Sequence, residues 1–249
     1  YTAGRVGAAD TAVNGNNRWS RDGGSISISA GRDATGASDE WITEWLRRPR
    51  GFALSPAEWW AYRPNFQQGI GTLGGGDIRI DAGNDVNTLS AVLPTTGRSN
   101  LGADGLRTLD VRGGGNLSVR AGNDVIGGNY LVALGDGRIA AGGDVGAATP
   151  MQLHLMGMSS GDLAARADVA VTAGGAVTLQ SINNPTALVQ LSSTPGRGPS
   201  FGAGANRVVT FFTYSPDSVV RLLAASGDVS IGSQMQNGRG LSVRDRVVN

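Results

Sequence analysis

The sequence predicts an all-β fold: a parallel β-solenoid carrying a short α-helical insertion. Three observations lead there. A twelve-residue unit recurs almost intact, as GGSISISAGRDA at 23–34, GGDIRIDAGNDV at 75–86 and GGNLSVRAGNDV at 114–125. Within each unit the apolar residues alternate with polar ones at period two. Glycine makes up 40 of the 249 residues without a collagen period, which means many corners.

One unit shows the physics. Ile78, Ile80 and Ala82 share one face of a strand, and Arg79 and Asp81 face water. The matching inward sets are Ile26, Ile28, Ala30 and Leu117, Val119, Ala121. Gly-Asn-Asp or Gly-Arg-Asp follows. Glycine tolerates positive φ and Asn or Asp folds back onto nearby backbone, so this is a corner. A strand of about five residues cannot bury an apolar face alone and needs copies stacked on it.

The corner aspartates Asp33, Asp85, Asp124 and Asp144 lie 52, 39 and 20 residues apart. With a unit of about twenty, the expectation is two coils plus an insertion, then two coils, then one. Weaker copies follow at 137–145 (GRIAAGGDV), 168–179 (DVAVTAGGAVTL) and 224–231 (AASGDVSI).

The G-G-x-[IL]-x-[IV]-x-A-G-[NR]-D-[VA] units resemble the haemagglutinin repeats of filamentous haemagglutinin-like exoproteins, the large adhesins of Gram-negative two-partner secretion. The resemblance covers 20–145 well, 168–231 loosely and the insertion at 38–68 poorly. It implies a right-handed parallel β-helix, export through an outer-membrane transporter, and attachment to a host or neighbouring-cell surface protein or glycan, with possible self-association into fibres. It places the chain in the secreted or outer-surface compartment. That family's secretion domain carries an Asn-Pro-Asn-containing motif. Asn183-Asn184-Pro185-Thr186 does not match it, so no functional residue carries over.

Taken in order, residues 1–22 are polar and Gly-rich, fit for one irregular coil. Residues 38–68 interrupt the repeats and hold four of the five tryptophans. Two short helices are expected there. Trp41 and Trp45 would share a face at i,i+4, and Ser55-Pro56-Ala57-Glu58 has the order of a capping box. Such helices either pack their rings on the solenoid flank or present a contact site. Trp, Tyr and Arg are the residues of binding hot spots. The candidate binding set is Trp41, Trp45, Arg47, Arg48, Arg50, Trp59, Trp60, Tyr62 and Arg63. Removing the insertion is expected to leave the β-helix folded and to weaken attachment.

Pro94-Thr95-Thr96-Gly97 reads as a loop, 192–206 (SSTPGRGPSFGAGAN) as an extruded one, and 207–214 (RVVTFFTY) as a strand. Residues 241–249 repeat L-x-V-x-x-x-V-V and fit the start of another coil. Tyr1 is preceded by neither an initiator Met nor a leader, so the chain reads as one β-helix segment, 1–249, of a longer parent.

Composition narrows the function. A net charge of +1 gives no field that would draw nucleic acid or an anionic membrane. All 21 basic residues are arginine, and there is no cysteine. No run approaches the eighteen or so apolar residues of a membrane-spanning helix. The lone His154, among Met151, Met156 and Met158, has no second imidazole for a metal and reads as structural.

A calcium site would draw on Asp81, Asp85 and Asp110. The solenoid calcium repeat needs Gly where this unit has Ile or Leu, so the aspartates read as structural corners and no cofactor is expected. No nucleophile set and no phosphate loop is present. Glycan cleavage would need paired carboxylates or an Arg base, from Asp77, Arg79, Asp81 and Arg120. Alternating charge on a solvent face is the ordinary outcome, so the chain does not read as an enzyme. Two alternatives to an adhesin stand beside it: a structural fibre solenoid without its own receptor, and a glycan-processing β-helix.

Overall fold

The computed structural model describes residues 2–3, 5–6, 20–21, 23–37, 45–47, 59–61, 66, 69–155, 158–160, 163–183 and 217–232. These residues form an all-strand fold with no helix among them, built from parallel strands paired in register.

Each coil runs through three faces. The front sheet has six parallel strands in the order Ile26–Ala30, Ile78–Ala82, Leu117–Ala121, Gly135–Ala141, Ala167–Ala173 and Val219–Ala224. Its register stacks like on like. Ile28, Ile80, Val119, Ile139, Val171 and Leu222 make one inward row. Ala30, Ala82, Ala121, Ala141, Ala173 and Ala224 make the row beside the corner. Identical small side chains at the corner let successive turns close at the same radius, so the backbone hydrogen bonds stay in register.

After the corner comes a short side sheet, Ala34–Thr35, Val86–Asn87 and Val125–Ile126, continued by bridges at Val145 and Val177. The back sheet follows. Its strands include Ile70–Thr72, Ala91–Leu93, Asn129–Val132, Met151–Leu155 and Val177–Asn183. Between side and back the chain bends through left-handed backbone. Thr88 sits at φ +48°, and one coil on Gly127 sits at +61°. A β-branched residue is strained there. The Thr88 hydroxyl donates to the Gly36 carbonyl at 3.0 Å, which helps hold it.

The pairing corrects the coil count. Ile78 pairs directly with Leu117, so the spacing between Asp85 and Asp124 is one coil, not two. Within it the strands Thr95–Leu101 and Arg107–Gly113 pair with each other as an antiparallel hairpin. Pro94–Gly97, expected as a loop, therefore opens a strand. The bare coil is seen where Leu117 pairs with Gly137, and its corners Asp124 and Asp144 are 20 residues apart. Ile26 likewise pairs with Ile78, so the stretch between them is one coil plus the 38–68 insertion. A second hairpin, Met158–Ser160 with Leu163–Ala165, leaves at the same back-to-front turn as the first.

The core lies between the three sheets. Ile78, Ile80, Leu93, Leu117, Val119, Tyr130, Val132, Val169 and Val171 belong to one continuous apolar cluster. The back-to-front turns need glycine. Gly76, Gly115 and Gly135 have φ of +118°, +145° and +130°. A Cβ on Gly115 would lie 2.1 Å from the Gly76 carbonyl oxygen, and one on Gly135 would lie 2.3 Å from that of Gly115. The turns stack too closely for any side chain.

Candidate functional site

Three features outside the apolar interior bear on function: the cover over the back sheet, the charged front face, and the polar ladders at the corners.

Over Ile70–Thr72, Ala91–Leu93 and Asn129–Val132 the back sheet is buried on both faces. Ala91, Leu93, Tyr130 and Val132 belong to the interior cluster, so Val92 and Leu131 point outward at period two. They continue the row Gly71, Val92, Leu131, His154. Val92, Leu131 and His154 are all fully buried. Part of the cover is visible. A Cβ on Gly71 would lie 2.7 Å from Phe66 Cζ, so the Phe66 ring rests on that glycine. Phe66 meets Trp45 edge to face, centroids 5.5 Å apart. Gly71 makes room for a ring over the sheet, and the aromatic pair adds to the area buried.

Trp59 joins this cover to the first hairpin. Its backbone pairs antiparallel with Gly97, N–H to carbonyl in both directions at 3.1 and 2.9 Å. The indole N–H donates to the Thr95 hydroxyl at 3.2 Å. The ring lies flat on Gly97, where a Cβ would meet Trp59 Cζ3 at 2.2 Å. Leu46–Arg47 pairs antiparallel with Trp60–Ala61.

The two helices expected over 38–68 are therefore corrected at the described positions. Residues 46–47 and 60–61 are strands, and Trp59 is a bridge residue. Aromatic residues suit a paired, half-covered strand, and partner edges outweigh a local capping signal. Ser55–Glu58 lie outside the described residues.

Of the candidate binding residues, Trp45, Trp59 and Trp60 are buried. Arg47 is in the strand Leu46–Arg47. Trp41, Arg48, Arg50, Tyr62 and Arg63 lie outside the described residues, as do 192–206, 207–214 and 241–249. The three described rings are packed inside the fold.

The front face is charged and self-paired. Arg79 Nη2 donates to Asp81 Oδ1 at 3.2 Å within one strand. Arg166 reaches Asp136 at 3.3 Å and Asp168 at 3.4 Å, and Arg221 also pairs with Asp168. The arginines of these pairs are about half exposed or more, so each pair is worth at most about 1 kcal/mol. Arg120 stands in register with Asp81, whose carboxylate is engaged by Arg79.

The corner aspartates form a ladder. Asp33 Oδ1 accepts from Asn84 Nδ2 at 2.8 Å and from the Asp85 backbone N–H at 3.2 Å. Asp85 Oδ1 accepts from Asn123 Nδ2 and the Asp124 N–H, both at 3.0 Å. Asp124 takes the Asp144 N–H, and Asp144 takes the Ala176 N–H, each at 2.7 Å. Each carboxylate thus ties its corner to the next coil. The Asn84 amide, then the Asp85 N–H, holds the Asp33 carboxyl below the usual aspartate range, with Arg32 adding a smaller pull.

A second ladder runs along the other end of the front strands. Ser25 Oγ accepts the Asp77 N–H at 3.1 Å, Asp77 the Asn116 N–H at 2.8 Å, and Asn116 Oδ1 the Asp136 N–H at 3.0 Å. Sequence reasoning missed these residues, although the signal was there. The variable position of G-G-x is Ser, Asp or Asn in all three clear repeats. Asp77, weighed as a catalytic candidate, is occupied in this ladder.

The calcium candidates are each engaged separately, Asp81 by Arg79, Asp85 by Asn123 and Asp110 by Arg112 at 2.9 Å. Among the described residues no three His, Cys, Asp or Glu side chains converge as metal ligands would. His154 lies in the back sheet between Leu131 and Asn183 in register and is fully buried. No protein family, curated protein or solved structure matches this chain.

Proposed function

We propose that the chain is a rod segment of a large secreted filamentous adhesin on the outer surface of a Gram-negative bacterium. Its solenoid is the scaffold, and contact with a host or neighbouring cell falls to the segments extruded from it. The observation that carries this reading is how extra residues are accommodated. Successive corner aspartates are 52, 39 and 20 residues apart. The front strands of those coils nonetheless keep one register, because the excess leaves as an insertion or a hairpin at a corner. A scaffold that exports length without disturbing its stack suits display of variable contact loops. The repeat resemblance adds passage through an outer-membrane two-partner-secretion transporter.

A specific observation favours a second reading, a structural fibre solenoid with no receptor of its own. Trp45, Trp59 and Trp60 are all buried within this chain's own fold. Glycan processing is the weakest reading, because the front-face carboxylates are engaged by arginines or backbone N–H groups.

The two leading readings part in one experiment. The chain is displayed on a non-adherent bacterium, with and without the tip of the first hairpin, Asn100–Thr108 replaced by Asn-Gly. An adhesin segment confers attachment to cells or glycans, and the shortened tip lowers it at an unchanged melting temperature. A chain that confers no attachment in either form is a fibre segment.

A further inference from the structure

Arginines of this chain share a habit: they take a carboxylate two residues away. Arg79 takes Asp81, Arg112 takes Asp110 and Arg166 takes Asp168. Arg120 and Arg138 break the habit. Ser118 and Gly122 stand two residues from Arg120, and Ala140 stands two beyond Arg138. Asp136, two before Arg138, is held by Arg166 at 3.3 Å. The carboxylate across from Arg120 is Asp81, already held by Arg79. Arg120 and Arg138 are both exposed, and among the described residues neither forms an ion pair.

The register brings the two together. On the adjacent strands Leu117–Ala121 and Gly135–Ala141, Arg120 lies beside Ala140 and Arg138 beside Ser118. They are diagonal neighbours, with Cα atoms about 8 Å apart. Beyond Ala140 the next strand presents Thr172, and beyond Arg138 it presents Ala170. Ser118, Ala140, Ala170 and Thr172 are all half-buried. The Ala140 methyl is therefore the low point between two guanidinium-bearing residues and a threonine. Like charges set side by side on a sheet repel, so this arrangement gains from an anion placed between them.

We propose that Arg120 and Arg138 bind a carboxylate seated over Ala140, and that the ligand is an acidic polysaccharide, a chain of uronic acids. A guanidinium fork matches a carboxylate with two parallel hydrogen bonds. The Ser118 and Thr172 hydroxyls beside it suit the hydroxyls of a sugar. The floor of small side chains is shallow, which admits an extended chain. The outward row through Arg138 runs Ser27, Arg79, Ser118, Arg138, Ala170, Arg221. Arginine recurs there on alternate coils, about 10 Å apart, so a polymer lying along the solenoid axis meets further cations at even intervals. The inference names a ligand for the adhesin reading and rests on it only for the ligand's place on a neighbouring cell.

Binding of the full chain to immobilised polygalacturonate tests the site, with dextran as the neutral chain. The native chain is expected to bind polygalacturonate and not dextran. Arg120→Gln with Arg138→Gln should weaken binding by about tenfold or more. Arg79→Gln, whose guanidinium already has Asp81, should weaken it by under about threefold. Ala140→Asp gives Arg138 a carboxylate two residues along, as Arg79 has, and should weaken binding as much as the double variant at an unchanged melting temperature. Equal losses in Arg79→Gln and the double variant would mean a diffuse field and overturn the proposal. Polyglutamate, a carboxylate chain without sugar rings, should bind more weakly than polygalacturonate. Equal or tighter binding of polyglutamate makes the occupant an acidic protein segment and also overturns it. Loss of polygalacturonate binding in the double variant supports the site even where the displayed native chain attaches to no cell, which removes the adhesin reading alone. Attachment by a native chain that does not bind polygalacturonate removes the site alone.

Discussion

The front and back sheets are built from the same coils and differ in what faces outward. On the front, Ile78–Ala82 alternates buried with open positions, and Arg79 and Asp81 pair in water. On the back, Ile70–Thr72, Ala91–Leu93 and Asn129–Val132 are buried at every position. The outer positions of the front strands are exposed or half-buried, at Arg79 and Asp81 as at Ser118 and Arg120. The back face is dry because Trp45, Phe66 and Trp59 belong to a cover laid over it and over the first hairpin. One solenoid therefore has a one-sided sheet, whose outer positions tolerate charge, and a two-sided sheet that does not.

The comparison is sharpest under a charge placed on each face. Ile80→Asp and Leu131→Asp should each cost about 4 kcal/mol or more, since both sites are fully buried and a carboxylate there has no partner. Arg79→Asp should cost under about 1 kcal/mol, the loss of an exposed pair. Denaturant midpoints for the three decide the matter. If Leu131→Asp behaves like Arg79→Asp, the back sheet is one-sided after all.

Replacing 38–68 by a Gly/Ser linker comes next in size. The sequence alone suggested that the solenoid would survive this unharmed. With Trp45, Trp59 and Trp60 buried, the deletion should instead cost about 3 kcal/mol or more and raise binding of a hydrophobic dye. An unchanged melting temperature with no dye binding would return the tryptophans to a contact role.

A smaller effect is expected at the corners, which both sheets share. Asp85→Ala removes the acceptor for Asn123 Nδ2 and the Asp124 N–H and should cost about 1–2 kcal/mol, while a chelator should leave the melting temperature of the native chain unchanged. A large fall in chelator, reversed by calcium, would show that the ladder carries a cation.

The smallest effect is the pH dependence of Asp33. Its folded-state carboxyl titrates below its ordinary value, so its contribution is present above the unfolded pKa and is lost as pH falls through the folded one. Stability should decline on acidification below about pH 4. Asp33→Asn should flatten that decline slightly, and an identical acid profile in the variant would assign the decline to other carboxylates.

The front strands and corners were legible because their signals are local. Period-two alternation and Gly-Asn-Asp are properties of a few adjacent residues, and the stacked register puts Ile80 on Val119 as the alignment of repeats would. The number of coils was not legible. The spacing from Asp85 to Asp124 fits two bare coils as well as one coil with a hairpin, and only the pairing of Ile78 with Leu117 separates them. The second ladder was written at the x of G-G-x, but a polar residue before a strand says nothing until the coil below supplies the N–H it accepts.

By itself the sequence determined the repeating strand, its inward face, the corner chemistry and one place where length is inserted, residues 38–68, since each follows from backbone preference and side-chain polarity within a few dozen residues. Tertiary structure alone decided that Trp59 bridges to Gly97, that the row Val92–Leu131–His154 is dry, and which strand lies on which. The reason is that these depend on partners a whole coil or more away along the chain. There, the pairing of an edge and the covering of an apolar face outweigh the small local preferences that a capping signal or a loop signal expresses.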